Sequence, residues 1–218
     1  FLLTVVTMGL QCLPAVSTTF ESARMLKPGA LQVGAYGSLY TGILDKHQGD
    51  EWGLRTLNFG LISAYGLSDK FSIRGRYERT LLKDRAELFD APILQSGTGV
   101  NYAEIALKYG WKQRRSNLRG AVSLPIGNIF YHENNVWYLS PTVFTTFSNN
   151  DQFEFSMNGK LHFWLNNSPP IPWASFGIGF GFSENLDRWA LRPEINTDIV
   201  NFSFGLGFSY TFQVAKTP

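Results

Sequence analysis

The residues best suited to polar chemistry in this 218-residue sequence are charged side chains at alternate positions of otherwise apolar segments. Arg74, Arg76 and Glu78 show this spacing, and Glu104 and Lys108 repeat it further along the chain. Positions two apart share one face of a strand, and charges removed from water are stable only when they are paired. We therefore expect a shared interior of paired charges. The whole set consists of Arg74, Arg76, Glu78, Glu104, Lys108, Arg119, Glu154, Lys160, His162, Arg192 and Glu194.

His162 is the candidate for general-base chemistry, because an imidazole can exchange a proton near neutral pH. Its candidate helpers are Ser175, which could act as a nucleophile, and Glu133, which could orient the ring. No nucleophile motif surrounds these residues. A single histidine beside Lys160 is more often a structural hydrogen-bonding residue, so no catalytic residue is assigned and hydrolysis is the weakest functional hypothesis.

The composition excludes several classes of site. Nineteen basic and seventeen acidic residues give a formal net charge of +2, too small an imbalance for a surface that follows phosphates, so nucleic acid is not expected as a partner. Three scattered histidines do not suggest a metal cluster. The single cysteine, Cys12, excludes a disulfide scaffold and a cysteine-based zinc site. We expect no metal and no cofactor.

The first seventeen residues resemble an export signal. Residues 1–10 form an apolar run of the length of a signal-peptide core, and residues 15–17 have the small-x-small form of a cleavage site. We expect a signal peptide over 1–17, with its basic start upstream of Phe1, and cleavage before Thr18. A buried N-terminal helix is the alternative, but Pro14 interrupts the pattern.

Cys12 allows a second interpretation of the same segment. A lipoprotein would be cleaved before this cysteine and acylated on its sulfur, which would anchor the chain in a membrane leaflet. Gln11 stands where such signals usually carry Gly, Ala or Ser. Ordinary cleavage is therefore favoured, and lipidation of Cys12 stays an alternative.

Period-two alternation of apolar and polar residues fills the rest of the chain. Each alternating segment has about 7 to 12 residues, close to the length that a tilted strand needs to cross a bilayer. No run of 18 apolar residues follows the signal, so no membrane-spanning helix is expected. The ten predicted strands are 31–40, 57–67, 71–79, 102–111, 118–126, 137–147, 153–163, 176–182, 189–195 and 202–212.

The links between these strands alternate in length. Short polar links at 68–70, 112–117, 148–152 and 183–188 alternate with mostly longer ones, such as 43–51, 80–99, 127–136 and 165–173. Short turns at one end and longer loops at the other are typical of outer-membrane barrels. The sequence predicts an all-β fold, a closed antiparallel transmembrane β-barrel of about ten strands with short periplasmic turns and longer extracellular loops. The barrel would span 30–212, after a periplasmic lead-in at 18–29 and before a tail at 213–218.

The two faces of the strands decide which side meets lipid. A soluble barrel is the alternative, but small residues such as Gly177, Gly179 and Gly181 suit a crowded interior rather than a solvated exterior. On the apolar face of the strands, bulky aromatic residues stand near both the turn end and the loop end, as in the interfacial girdles of membrane barrels. The predicted girdles contain Phe71, Trp111, Phe147, Phe153, Phe182, Trp189 and Phe212 at the turn end, and Tyr77, Trp137, Phe163, Phe176 and Phe202 at the loop end.

Three prolines fall inside predicted strands. Pro125, Pro141 and Pro193 cannot donate a ladder hydrogen bond, so each should sit at a bulge or leave a gap. We therefore expect interrupted pairing in the fifth, sixth and ninth strands.

Three segments carry a resemblance to a known family. They are FESARMLKPG at 20–29, YGLSDKF at 65–71 and GFSYTF at 207–212, the last similar to the final-strand signal that the barrel-assembly machinery recognises. The chain resembles small outer-membrane β-barrel proteins of the Bacteroidota type over nearly its whole length, although residues 213–218 extend beyond the usual terminal aromatic. The resemblance implies location and topology and leaves the activity unassigned.

These observations favour a structural, adhesive or binding role for a barrel with a plugged lumen. A narrow diffusion channel of porin type is the alternative, and a lipid hydrolase at the rim comes third. The expected partners are outer-membrane lipids and lipopolysaccharide, with the barrel-assembly machinery during insertion. We expect a monomer.

Overall fold

The computed structural model describes residues 18–42, 56–82, 99–112, 117–131, 134–165, 172–198 and 201–213. Among these residues no helix is long and apolar enough to cross a bilayer. The strands are β1 (Ala30–Gly42), β2 (Thr56–Gly66), β3 (Phe71–Leu82), β4 (Gly99–Lys112), β5 (Leu118–Tyr131), β6 (Asn134–Leu139), β7 (Thr142–Phe147), β8 (Phe153–Trp164), β9 (Pro172–Phe182), β10 (Trp189–Asp198) and β11 (Asn201–Gln213).

The strands close into one antiparallel barrel. Apart from β6 and β7, which do not pair with each other, each strand pairs with its neighbours in sequence, and β1 pairs with β11 along its whole length, from Ala30 opposite Gln213 to Gly42 opposite Asn201. Both β6 and β7 pair with β5 on one side and β8 on the other, so together they form a single barrel strand. The closed ten-strand antiparallel barrel predicted from the sequence is confirmed.

The break between β6 and β7 has a local cause. The break consists of Ser140 and Pro141, and Pro125 lies at the same level on the neighbouring strand β5. Ser123 still pairs with Thr142 on one side of the gap, and the same register resumes beyond it. Because neither proline can donate to the ladder, the pairing is interrupted here while the register survives, and Ser140 N–H donates to the Pro125 carbonyl at 2.9 Å.

Pro193 interrupts one ladder only. It keeps its place opposite Leu206 of β11, whereas the pairing of β10 with β9 stops at Leu191 and resumes at Glu194. A strand with two neighbours needs its N–H groups on both sides, and proline lacks one.

One predicted loop is wrong for most of its length. The long link expected over 127–136 is strand, since β5 continues to Tyr131 and β6 begins at Asn134. The alternation continues through this region, with Ile129 buried and Phe130 facing outward against Tyr77. Only residues 132–133 of that link lie outside the described residues.

The distribution of polarity is the reverse of that in a soluble protein. Apolar side chains such as Leu61, 61% exposed, cover the outer surface, while Glu154 is completely buried. Lipid-facing barrels require an apolar exterior band and accept a polar interior. The exterior therefore suits a hydrocarbon environment, and the charged side chains face a lumen.

Tyrosine side chains fill part of that lumen, because glycines on the neighbouring strands leave space for the rings. Tyr36 lies opposite Gly60 on β2, and Tyr138 lies opposite Gly127 on β5. A Cβ atom at either glycine would collide with the tyrosine ring. These cross-strand pairs allow large side chains to fold across the narrow interior.

The topology can be tested by labelling. In a Cys12→Ser background, we expect a cysteine at Leu165, exposed just beyond β8, to react with a membrane-impermeant maleimide on intact cells. A cysteine at Glu184, exposed in the turn between β9 and β10, should react only after the cells are permeabilised. Reaction of only the cysteine at Glu184 on intact cells would contradict the proposed orientation and indicate the opposite one.

Candidate functional site in the barrel lumen

The lumen is occupied by the chain's own N-terminal segment. Residues 18–29 are expected in the periplasm on sequence grounds, but the structure places residues 18–26, here called the luminal segment, against the inner wall. Thr18, Thr19, Phe20, Ser22 and Ala23 are each at most 5% exposed. The physical reason for this difference is that the segment supplies hydrogen-bonding and charged groups to a wall that needs partners for its own buried charges.

The segment enters from the turn end of the barrel. Gly29 makes the bend into β1 with a φ of 78°, a conformation that glycine adopts without strain, and its N–H donates to the Gly66 carbonyl at 2.8 Å. Arg24 lies beside the turn residues Asp151 and Asp187. Thr18 lies deeper, against Arg76, so the chain runs into the lumen as residue numbers decrease.

Glu194 of β10 clamps the main chain of the segment. Its carboxylate accepts the Thr19 N–H at 2.6 Å and the Phe20 N–H at 2.5 Å, and it also accepts the Thr19 hydroxyl. Phe20 has a φ of 50°. This left-handed conformation costs a bulky residue about 1–3 kcal/mol, so the surrounding contacts must hold the backbone in place.

The Phe20 side chain fills a pocket with a glycine floor. Its ring stacks on Tyr36 with centroids 4.6 Å apart. A Cβ atom at Gly205 would lie 2.5 Å from the ring, and one at Gly207 would lie 2.9 Å from it. Larger residues at these two positions of β11 would therefore exclude the phenylalanine.

Glu21 meets a cationic part of the wall. Its carboxylate pairs with Arg74 of β3 and accepts from the Lys108 ammonium at 3.1 Å. Arg74 also pairs with Glu104 of β4, and Lys108 donates to the Ser22 carbonyl at 2.5 Å. The segment therefore adds a carboxylate where the wall presents two neighbouring cations.

Arg24 meets an acidic part of the wall and turns. Its guanidinium donates to Asp187 at 2.7 Å, to Asp151 at 3.2 Å and to the buried Glu154 at 3.3 Å. Burial opposes the charged form, but these carboxylates outweigh it and raise the pKa of Arg24. Burial likewise favours neutral Asp187, yet the hydrogen bond and charge of Arg24, together with Lys27, lower the pKa of Asp187 below its ordinary value.

The remaining predicted charges also face inward. Arg76 pairs with Glu78 and donates to the Tyr36 hydroxyl at 2.6 Å, while Arg192 pairs with Glu154. Glu104 thus pairs with Arg74 and not with Arg76, although Arg76 lies opposite Glu104 in the ladder. Lys160 is buried on β8, and Arg119 is half-buried near the turn end of β5.

His162 belongs to a buried hydroxyl cluster. Its Nδ1 lies 2.9 Å from the Ser140 hydroxyl at the strand break, and its Nε2 lies 3.3 Å from Ser175. The ring is only 2% exposed. Ser175 is thus brought to His162 as the sequence suggested, whereas Glu133 and Cys12 lie outside the described residues.

The predicted girdle residues point away from the lumen. Ten of the twelve are between 39% and 49% exposed, for example Phe202 and Phe147, and Trp189 and Phe163 are half-buried on the same outer face. Neighbouring rings contact one another, as Phe153 does with Phe182 at 5.3 Å between centroids. The outer face thus has bulky rings near both ends of the strands.

Two small cavities lie beside the luminal segment. A cavity of about 50 Å³ lies at the turn end beside Glu21, Arg24 and Arg74, and another of about 10 Å³ lies near Phe20 and Gly207. Such volumes hold at most a few ordered waters. In the part of the lumen that the structure describes, these spaces are too small for a stream of hydrated ions.

Comparisons with known proteins agree with the fold. No protein-family model matches the chain, and no curated protein matches it. Among solved structures, an outer-membrane channel from Pseudomonas putida F1 is similar with a TM-score of 0.51, at 9% identity over 93% of this chain and 100% of that chain. The protein lies in a bacterial outer membrane.

Two further solved structures are similar at lower scores. They are the outer-membrane protein OprG from Pseudomonas aeruginosa, with a TM-score of 0.39 at 11% identity over 89% of this chain and all of that one, and the KdgM porin, with 0.44 at 9% over 83% and 99%. Likeness at this identity concerns the barrel fold alone.

Sequence reasoning missed the luminal segment and the inward-facing aromatics. Phe20 and Tyr36 stack inside the barrel, and Phe144 packs on Ala23 beneath the Lys108 ammonium, 4.9 Å from its ring centre. The available signal was the alternation itself, because Tyr36 and Phe144 fall on the same face as the buried charges.

The buried pairs should dominate the stability of the barrel. Glu154→Ala would leave Arg192 and Arg24 short of an acceptor, and removing one partner of a buried pair typically costs about 3–5 kcal/mol. We expect a lower urea midpoint in detergent micelles. The matched control is Glu184→Ala in an exposed turn. It should change the free energy of unfolding by no more than about 0.5 kcal/mol. Equal effects of both variants would contradict the pairing.

The contact between Arg24 and Asp187 should respond to acid. Because the pKa of Asp187 is lowered in the folded state, its contribution is complete above the ordinary value of 3.8 and disappears as the pH falls below 3.8 through the lowered pKa. We expect the melting-temperature difference between the wild type and Asp187→Asn to be constant from pH 7 to 5 and to vanish in stronger acid. A difference that grows on acidification would contradict this.

Proposed function

We propose that this protein is a closed outer-membrane barrel with a structural, adhesive or binding role, and not an open pore. The observation that carries the proposal is the luminal segment, whose Glu21 and Arg24 complete the ion pairs of the wall. A segment held at both polar side chains and along its main chain closes the route that ions would take.

We propose that the protein is not an enzyme. His162 has two hydroxyl partners, Ser140 and Ser175, and its ring is almost completely buried. A hydrolytic site needs a substrate atom within reach of nucleophile and base, and the cavities described lie near Phe20 and at the turn end instead. These facts favour a structural role for the histidine.

The proposed partners follow from the exterior. The apolar outer band, with aromatics such as Trp111 and Trp137 near its edges, supports contact with outer-membrane lipids and lipopolysaccharide. The GFSYTF segment at 207–212 supports recognition by the barrel-assembly machinery. Together with FESARMLKPG at 20–29 and YGLSDKF at 65–71, it supports a relationship to small barrels of the Bacteroidota type. We propose that the protein acts as a monomer.

A narrow diffusion channel is the second candidate. The luminal segment is not a strand of the barrel wall, and the strands close without it through the β1–β11 pairing. Displacement of the segment would leave a lumen lined by both signs of charge, which could pass small polar solutes.

Planar-bilayer recording tests the closed barrel directly. We expect the wild type to give no steady current. Glu21→Lys should raise the current because it places a third cation against Arg74 and Lys108 and so expels the segment. The control, Glu184→Lys, adds the same charge in an exposed turn and should stay silent. Large steady currents from the wild type would overturn the proposal in favour of the channel.

A further inference from the structure

We propose that the barrel lumen is a peptide-binding site with ordered subsites, which residues 18–26 occupy as an exchangeable ligand. The ligand class is a peptide with the pattern aromatic, acidic, two small residues, basic, bent at its aromatic residue and entering from the periplasmic end. Here the pattern is Phe-Glu-Ser-Ala-Arg over 20–24. This inference rests on the proposed closure of the lumen and goes beyond it by assigning a ligand specificity to the wall.

The first support is that the wall recognises the main chain of the ligand. Glu194 accepts two consecutive backbone N–H groups, those of Thr19 and Phe20. At the other end of the ligand, the Ala23 N–H donates to the Thr146 hydroxyl at 2.7 Å, and Lys108 donates to the Ser22 carbonyl. Contacts of this kind would hold a peptide whose aromatic residue can adopt the left-handed conformation of Phe20, because that bend directs two consecutive N–H groups toward one carboxylate.

The second support is that three side-chain subsites follow one another in space. The aromatic subsite has a floor of Gly205 and Gly207. The acidic side chain meets the cations Arg74 and Lys108, and the basic side chain meets acidic residues that include Glu154. Their order along the lumen fixes the direction of the bound peptide, because a reversed peptide would place like charges together.

The third support concerns exchange. The luminal segment is bound by hydrogen bonds, ion pairs and packing, and the Phe20 backbone is held in a strained conformation. The larger cavity lies between segment and wall at the turn end, beside Arg24 and Asp187. The packing of the luminal segment against the wall is therefore least complete at the turn end, where a competing peptide would enter.

The test uses the full chain with its own segment weakened. Glu21→Lys changes a residue of the resident ligand and leaves every residue of the wall itself unaltered. A synthetic peptide of residues 18–27, added on the turn side of a planar bilayer, should block the current of this variant. A peptide of the same composition with Glu21 and Arg24 exchanged should need a concentration higher by about tenfold or more.

A wall variant separates specific binding from general blockage. In the Glu21→Lys background, Gly205→Leu fills the aromatic subsite and should abolish the block by the native peptide. Gly159→Leu is the matched control, because a Cβ there meets nothing within 4 Å and the residue faces outward; it should leave the block unchanged. Heat-modified migration on gels checks that each variant is folded.

A second readout does not depend on conductance. Anisotropy of the fluorescent native peptide, measured with Glu21→Lys in nanodiscs, should report saturable binding that Gly205→Leu removes and Gly159→Leu retains. Equal binding of both peptides, or no binding of either, would overturn the inference. Steady current from the wild type would instead overturn the proposed closure, and discrimination between the two peptides would still support the subsites.

Discussion

The constraint on which this structure depends is that charged side chains face a lumen too narrow for bulk water. A charge that leaves water without a partner costs several kcal/mol, so each charge on the inner face must find a partner on its own strand, on another strand or on the luminal segment. Arg74 does so twice, with Glu104 on the wall and Glu21 on the luminal segment. The N-terminal segment is therefore part of the electrostatic core of the barrel and not an accessory to it.

The same constraint explains the inner aromatic and small residues. Tyrosine can cross a narrow interior and still place a hydroxyl on a carboxylate, as Tyr138 does with Glu104 at 3.1 Å and Tyr40 does with Asp198 at 2.8 Å. For Tyr138, Gly127 on the neighbouring strand provides the space. Small and large inner residues thus alternate because the lumen is filled by packing rather than by solvent.

The sequence predicted what depends on local periodicity and missed what depends on contacts between distant residues. Alternation located all ten barrel strands, and the prolines located the breaks at Pro141 and Pro193. The link at 127–136 misled because its polar residues suggest a loop, whereas buried Ile129 continues the strand. Residues 18–26 have no strand period, and their place in the lumen comes from partners as distant in sequence as Glu194.

Phe20 combines a strained backbone with a hydrogen bond to a buried carboxylate of the wall. Its backbone is strained, and its neighbouring N–H groups end on one carboxylate that carries no compensating cation among the ion pairs described here. Glu194 is instead satisfied by main-chain donors, the Thr19 hydroxyl and Asn196. If the segment left, this carboxylate would keep Asn196 but lose the two main-chain donors and the Thr19 hydroxyl at once, so the wall stabilises the closed arrangement through these contacts.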